Sequence, residues 1–83
     1  MNIQKISYNT FLVTVDGIDF SVTVDDDYYQ ELTEEKCSKE ELVKASFKFL
    51  LDREAKESIL KSFNLKVISS YFPEYADRIK DYI

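Results

Sequence analysis

Hydrophobic positions between residues 37 and 54 have the spacing of an α-helix that other parts of the chain cover on most of its sides. Apolar or small residues occupy more than half of the helix circumference, namely Leu42, Val43, Ala45, Ser46, Phe47, Phe49, Leu50 and Leu51. The polar remainder is a narrow stripe made of Glu41, Lys44, Lys48 and Asp52. The pattern therefore predicts a largely buried helix, called the central helix below, around which the other elements pack.

The start of the central helix carries a capping signal. Ser38 and, three residues later, Glu41 form the pattern of a capping box, in which each side chain bonds a backbone N–H at the helix N-terminus. Cys37 and Leu42 have the spacing of a hydrophobic staple around that cap. A second interpretation makes Cys37 a nucleophile, since helix N-termini favour thiolates. The staple is favoured because the chain has no histidine to activate the thiol.

The strongest signal in the first third of the chain is a β-hairpin. Asp16-Gly17 lies between two alternating runs and is a favoured type I′ turn. Pairing Val15 with Ile18 sets a register that places six apolar residues on one face, namely Phe11, Val13, Val15, Ile18, Phe20 and Val22. The preceding segment, residues 3–8, alternates with Ile6 and Tyr8 as its apolar positions, which predicts a third strand.

Three consecutive carboxylates, Asp25-Asp26-Asp27, follow the hairpin. One interpretation is a site for a hard cation such as Ca²⁺ or Mg²⁺. The other is an N-cap, from Asp25 or Asp26, for a short helix with the sequence DDYYQELT, buried through Tyr28, Tyr29 and Leu32. The cap is favoured because neighbouring carboxylates cannot all reach one ion without a glycine-containing loop. No metal site is expected.

Beyond Glu54 the apolar spacing changes. Ile59, Leu60 and Phe63 predict a second helix over residues 56–63, which Asn64 ends. Residues 65–71 fit a short helix or a strand, and the helix is chosen. Pro73 suits a first helical position, so a last helix is expected over residues 74–82. Its predicted buried side is Tyr75, Ile79, Tyr82 and Ile83.

These elements predict a single α+β domain over residues 1–83. An N-terminal antiparallel β-meander of two to three strands would be packed on one face by three to five helices. The one glycine and one proline leave few irregular loops. With one cysteine, no signal-peptide pattern and no apolar run of membrane-spanning length, a cytoplasmic protein is expected.

The formal charge of −5 is unevenly distributed. Residues 1–35 hold one lysine and eight acidic residues, whereas residues 36–83 hold ten basic and eight acidic ones. The first part therefore predicts an acidic surface that a basic partner protein would fit. The alternative, that the negative charge serves only to keep a small domain in solution, is favoured. The overall charge disfavours nonspecific binding to nucleic acid or to an anionic membrane.

The residue types leave little room for catalysis. Histidine, the commonest general base and metal ligand, is absent. The only glycine, Gly17, belongs to the hairpin, so no phosphate-binding loop can be formed. Paired carboxylates would need a cleft that 83 residues with few loops hardly provide. The sequence predicts a protein that is not an enzyme and has no cofactor or small-molecule substrate.

The run from Glu57 to Tyr75, ESILKSFNLKVISSYFPEY, carries a resemblance. It resembles a group of small, uncharacterised prokaryotic proteins that share Phe-x-Leu-x-x-Ile-x-x-Tyr-Phe-Pro-Glu-Tyr after a similar helix. The resemblance covers about half of the chain. It implies no activity, cofactor or functional residue.

What remains is a protein-interaction module. The C-terminal segment is rich in residue types that are enriched at interfaces, and these form the possible interaction surface: Tyr71, Phe72, Tyr75, Tyr82 and Ile83. The main hypothesis is noncatalytic binding, either by self-association or as an acidic adaptor or antitoxin-like protein that binds a basic partner. The alternative is a small DNA-binding regulator that uses the lysines Lys36, Lys39, Lys44, Lys48 and Lys56.

Overall fold

The computed structural model describes all residues from Met1 to Ile83 and shows an α+β fold. The strands are β1 (Asn2–Lys5), β2 (Thr10–Val15), β3 (Ile18–Thr23) and β4 (Ser62–Asn64). The helices are α1 (Asp26–Thr33), α2 (Lys39–Leu51), α3 (Lys66–Tyr71) and α4 (Tyr75–Arg78), with 3₁₀ turns at Lys56–Ser58 and Ile79–Asp81. The sheet order is β1-β2-β3-β4, and β4 runs parallel to β3. The α+β class is confirmed, but the sheet is mixed and has four strands.

The predicted hairpin of β2 and β3 is confirmed. Val15 pairs with Ile18, Val13 with Phe20 and Phe11 with Val22. All of these residues are buried except Ile18, which is half-buried. At the turn, Asp16 has φ 48° and Gly17 has φ 83°, the positive values that a type I′ turn requires. The alternating pattern and the turn therefore specify the same register.

Strand β1 is shorter than the sequence predicted. It ends at Lys5 because the amides of Ile6 and Ser7 both donate to the carbonyl of Thr10, at 3.0 and 3.3 Å, which turns the chain into β2. The expected apolar positions are consequently wrong: Ile6 is 54% exposed and Tyr8 is 67% exposed. Ile3, opposite Val13, is the half-buried residue of this strand.

Helix α2 is the predicted central helix, and its capping box is formed. The Ser38 hydroxyl accepts from the Glu41 amide at 3.0 Å, and the Glu41 carboxylate accepts from the Ser38 amide at 2.8 Å. Seven of its 13 residues are buried, and the predicted polar stripe is exposed. None of the helices has both the length and the hydropathy needed to cross a lipid bilayer.

Two phenylalanines of α2 connect the sheet to the C-terminal helices. The Phe47 ring lies 5.3 Å from that of Phe20 on β3. The Phe49 ring makes edge contacts, at 5.2–5.9 Å between centroids, with the rings of Phe72, Tyr75 and Tyr82. One core of 19 residues results, with α2 at its centre.

The helix predicted over residues 56–63 is wrong. Only a 3₁₀ turn forms at Lys56–Ser58, and the chain then extends along β3 as β4. The Ser21 amide donates to the Lys61 carbonyl at 2.8 Å, and the Leu65 amide donates to the Thr23 carbonyl at 3.0 Å. A helix of eight residues is marginal without packing, so pairing with the open edge of β3 outweighs the local preference.

The sequence of residues 65–71 fits either a helix or a strand, and the predicted helix forms as α3. The Asn64 side chain accepts from the Lys66 amide at 3.0 Å and so supports the first turn of α3, instead of ending a helix as predicted. The last predicted helix, over residues 74–82, is confirmed in a shorter form. It consists of α4 followed by a 3₁₀ turn.

Helix α1 begins where the sequence predicted, with Asp25 at the N-cap position. The Asp25 carboxylate makes no capping hydrogen bond, however, because it is turned towards Lys66, 2.8 Å away. The hydrogen bond from Lys66, aided by one from Asn64, lowers the pKa of Asp25. No three acidic, cysteine or histidine side chains come together in a group able to hold a metal ion.

The turn residue Gly17 provides a test of the hairpin. A Cβ at this position would meet no atom within 4 Å, so only the backbone strain of a positive φ opposes substitution. Gly17→Val should lower the free energy of unfolding by more than about 1 kcal/mol. Gly17→Asn is the matched control and should cost less, because asparagine tolerates positive φ. Urea denaturation measures both, and equal effects would contradict the type I′ turn.

A second test concerns the phase of α2. Leu50 is 4% exposed, so Leu50→Ala should cost about 2–5 kcal/mol of stability through lost burial and a cavity. Lys48→Ala, on the exposed stripe, should change stability by less than about 0.5 kcal/mol. Thermal and chemical denaturation compare the two variants. Similar losses in both would show that the assigned buried face is wrong.

Candidate functional site

An apolar groove, called the α2–α3 groove, opens between the C-terminal end of α2, the segment 54–63 and α3. Its volume is about 290 Å³, and eight of its ten lining residues are hydrophobic. Buried Leu50, Ile59 and Ile68 contribute to its lining. Leu60 and Tyr71, which also line it, are 47% and 65% exposed. Large hydrophobic side chains at this site are therefore in contact with solvent.

The shape of the groove results from residues 54–63, where a 3₁₀ turn and β4 form instead of the predicted helix. Because residues 54–61 do not continue as a helix against α3, the chain leaves a gap between the end of α2 and α3. Ile59 turns into the core, whereas its neighbour Leu60 stays at the surface. Phe63 of β4 and Val67 of α3 are half-buried and complete the lining.

The predicted C-terminal interaction surface is divided by the structure. Tyr71 and Phe72 both line the groove, Tyr71 exposed and Phe72 half-buried. Ile83 is 50% exposed but does not line the groove. Tyr82 is half-buried, and its hydroxyl donates to Asp52 at 2.7 Å. Tyr75 has no exposed surface, so it has no surface with which to contact a partner.

Tyr75 belongs to a buried polar pair in the core. The Ser46 hydroxyl donates to the Leu42 carbonyl at 2.7 Å, so the Tyr75 hydroxyl, 2.6 Å away, is the donor to Ser46. Desolvation raises the pKa of Tyr75 far above its ordinary value, and nearby Tyr28 adds to the effect. The ring therefore stays neutral in the core, against the edge of Phe49.

Of the ten residues that line the groove, the sequence analysis placed only Tyr71 and Phe72 in an interaction surface. It missed the other eight, namely Leu50, Glu54, Ser58, Ile59, Leu60, Phe63, Val67 and Ile68. Ile59, Leu60 and Phe63 were the apolar positions of a predicted helix that does not form. One signal was present: Ile59 and Leu60 are adjacent, and neighbours in an irregular segment rarely both point into a core. The groove itself gives no local signal, because its walls come from separate elements.

The acidic first part of the chain is partly neutralised in the structure. Its carboxylates pair with lysines of the second part: Asp16 with Lys56 at 3.5 Å, Asp25 with Lys66 at 2.8 Å, and Asp26 with Lys39. The exposed carboxylates without a salt bridge on or just after α1 form the acidic face of α1: Asp27, Glu31, Glu34 and Glu35. The acidic surface is therefore narrower than the sequence predicted.

The lysines considered for nucleic-acid binding do not form one free face. Lys39 is turned inwards, with 15% of its side chain exposed, and donates to Asn9 at 2.7 Å under the ring of Tyr8. Lys56 pairs with Asp16. Lys44 and Lys48 are exposed and form no salt bridge.

Cys37 has the environment of a structural thiol. It is 8% exposed, and Leu42, its partner in the predicted staple, is completely buried. Desolvation, followed by the charge of Glu41, raises the pKa of the Cys37 thiol. This direction is opposite to the lowered pKa that a nucleophilic cysteine at a helix N-terminus would need.

Comparisons with known proteins add no assignment: no family model matches the chain, and neither a curated protein nor a solved structure is significantly similar to it. Evidence about function therefore comes from the surface of the molecule, where the α2–α3 groove is a candidate site with a mainly apolar lining.

The buried pair Tyr75–Ser46 generates a prediction about pH. At pH 7, Tyr75→Phe should cost about 0.5–1.5 kcal/mol through the lost hydrogen bond, since Ser46 keeps its bond to Leu42. Above about pH 10 the unfolded tyrosine ionises while the folded one keeps its proton. The wild type should then lose about 1.4 kcal/mol per pH unit relative to Tyr75→Phe.

Urea unfolding between pH 7 and 11 measures this difference. Tyr71→Phe is the control, because it removes the hydroxyl of an exposed tyrosine. Parallel stability curves for the wild type and Tyr75→Phe above pH 10 would mean that the Tyr75 hydroxyl is accessible to solvent.

Proposed function

We propose that this protein is a noncatalytic binding module and that the α2–α3 groove is its contact site for another protein. The observation that carries this proposal is the exposure of Leu60 and Tyr71 beside an apolar groove. Protein interfaces have an apolar, aromatic-rich centre within a polar rim. The groove supplies such a centre, and Glu54 and Ser58 supply polar groups at it.

The size of the groove fits side chains of a partner better than a small-molecule ligand. Ligand pockets are commonly about 300–1,000 Å³ and enclose most of the ligand. The α2–α3 groove, at about 290 Å³, lies at the lower limit and is open to solvent. Stable interfaces cover about 800 Å² on each partner, so the groove would be the centre of a larger contact that includes its surroundings.

The proposed partner is a protein and not a nucleic acid. The proposed location of the binding module is the cytoplasm. The net charge of −5 opposes contact with phosphates. A single buried thiol suits a reducing compartment. An acidic adaptor is the form of binding module that these features support.

Affinity capture with groove variants tests the proposal. The double variant Leu60→Ser, Tyr71→Ser changes two exposed side chains, so it should fold normally. It should reduce the recovery of the partner from cells of the source organism by about tenfold or more, as loss of interface anchors does. Quantitative mass spectrometry of the captured proteins provides the measurement.

The matched control is Ile83→Ser, which removes an equally exposed apolar side chain outside the groove. It should capture the same proteins as the wild type. Identical capture by the wild type and the groove variant would refute the proposed contact site. Sedimentation over a hundredfold concentration range shows in parallel whether the partner is a second copy of the chain.

A further inference from the structure

We infer that the occupant of the α2–α3 groove is a positively charged amphipathic helix, which inserts apolar side chains into the groove and places a lysine or arginine on Glu54. This inference rests on the proposed function and names the class of its partner. The features that support it are an unpaired carboxylate inside an apolar site and further negative charge on the other side of α3.

Glu54 is the only charged residue that lines the groove. It is half-buried and forms neither a salt bridge nor a side-chain hydrogen bond. Arg53 and Lys56, the two basic residues closest to Glu54 in the sequence, are engaged elsewhere. Arg53 donates to Glu74 at 3.1 Å and lies over the Phe49 ring at 3.7 Å. Lys56 pairs with Asp16 and Glu57.

A half-buried carboxylate next to apolar groups gains more from a cation than a fully solvated one does, because water screens the pair less. A partner that covers the groove would remove water from Glu54. That step is unfavourable unless the partner brings a cation to the carboxylate. Glu54 therefore selects for a basic side chain next to the apolar ones.

The second source of negative charge is the acidic face of α1. Helix α3 lies between α1 and the groove: Ser69 is within 3.1 Å of the Tyr28 hydroxyl, whereas Val67 and Tyr71 line the groove. Lys66 of α3 is held by Asp25, whose hydrogen bond is the main cause of its raised pKa, with smaller contributions from Asp27 and Glu31. The groove thus has carboxylates at its lining and beyond α3.

A helix suits this site better than an extended strand. Strand addition would have to use the free edge of β4, which has only three residues and would provide few backbone hydrogen bonds. A helix presents apolar side chains at positions i, i+3, i+4 and i+7 on one face, with charged residues beside them.

A second copy of the chain is a poorer occupant. In a two-fold contact the same surface patch faces itself. A contact centred on the groove would bring the two unpaired Glu54 carboxylates into the same covered interface, and like charges across an interface are unfavourable. A basic partner has the opposite charge and is also attracted by the net charge of −5.

Three synthetic peptides of equal length test the inference. The first has leucines at helical spacing with lysines beside them, the second has glutamate in place of each lysine, and the third has serine in place of each leucine. Fluorescence anisotropy with the whole protein measures their dissociation constants at two salt concentrations. The first peptide should bind at least about tenfold more tightly than the other two.

Two variants assign the contacts. Glu54→Gln, which keeps the shape and removes the charge, should weaken the first peptide about fivefold and reduce the salt dependence of its binding. Glu40→Gln, an exposed carboxylate near the start of α2, is the control and should leave binding unchanged. Leu60→Ser should weaken binding without affecting the salt dependence.

The outcomes separate this inference from the proposed function. Equal binding of the lysine and glutamate peptides, or no effect of Glu54→Gln, would overturn the selection for a basic partner. If Leu60→Ser still weakened peptide binding in that case, the groove would remain a binding site. Equal binding of the leucine and serine peptides would show attachment by charge alone and overturn the inference. No binding of any peptide, or self-association through the groove, would overturn the basic helix as occupant; groove-dependent capture of a partner from cells would still support the proposed function.

Discussion

The structure depends on the burial of more than half of the residues of α2. Phe47, on one side of the helix, packs against the sheet. Phe49, on another side, contacts three aromatic rings of the C-terminal segment. Each large side chain buried in this way contributes roughly 1.5–3 kcal/mol. Without α2 the sheet and the C-terminal helices would have little shared apolar surface.

Charge pairs join the two parts of the chain over this core. Lysines from the second part reach carboxylates of the hairpin turn and of α1, and such exposed pairs contribute little stability individually. Their larger effect is on the surface, because they neutralise some carboxylates and leave others free. Among the free ones, Glu54 and the acidic face of α1 lie on either side of α3. The electrostatics of the groove are therefore a result of the fold.

Sequence patterns correctly predicted the elements whose contacts join residues that are close together in the sequence. The hairpin register follows from Asp16-Gly17 and the alternating pattern, and the start of α2 follows from Ser38 and Glu41. Strand β4 could not be predicted in this way, because its pairing partner lies far away in the sequence. Helical spacing correctly placed Tyr75 on the buried side of the last helix, but composition alone also placed it in the interaction surface, because composition cannot show that Ser46 offers it a buried hydrogen-bond partner. The groove could not be predicted either, because the residues that line it lie far apart in the sequence.

The parallel pairing of β4 with β3 also affects the order in which the molecule forms. The hairpin closes over a two-residue turn, whereas β4 reaches β3 only after the 38 residues between Thr23 and Ser62 have been arranged. Closing so long a connection costs more entropy and slows folding. A three-residue edge strand also has few bonds with which to resist local opening. One wall of the groove therefore depends on a few long-range hydrogen bonds, whereas the hairpin and α2 are held by bonds between residues that are close in the sequence.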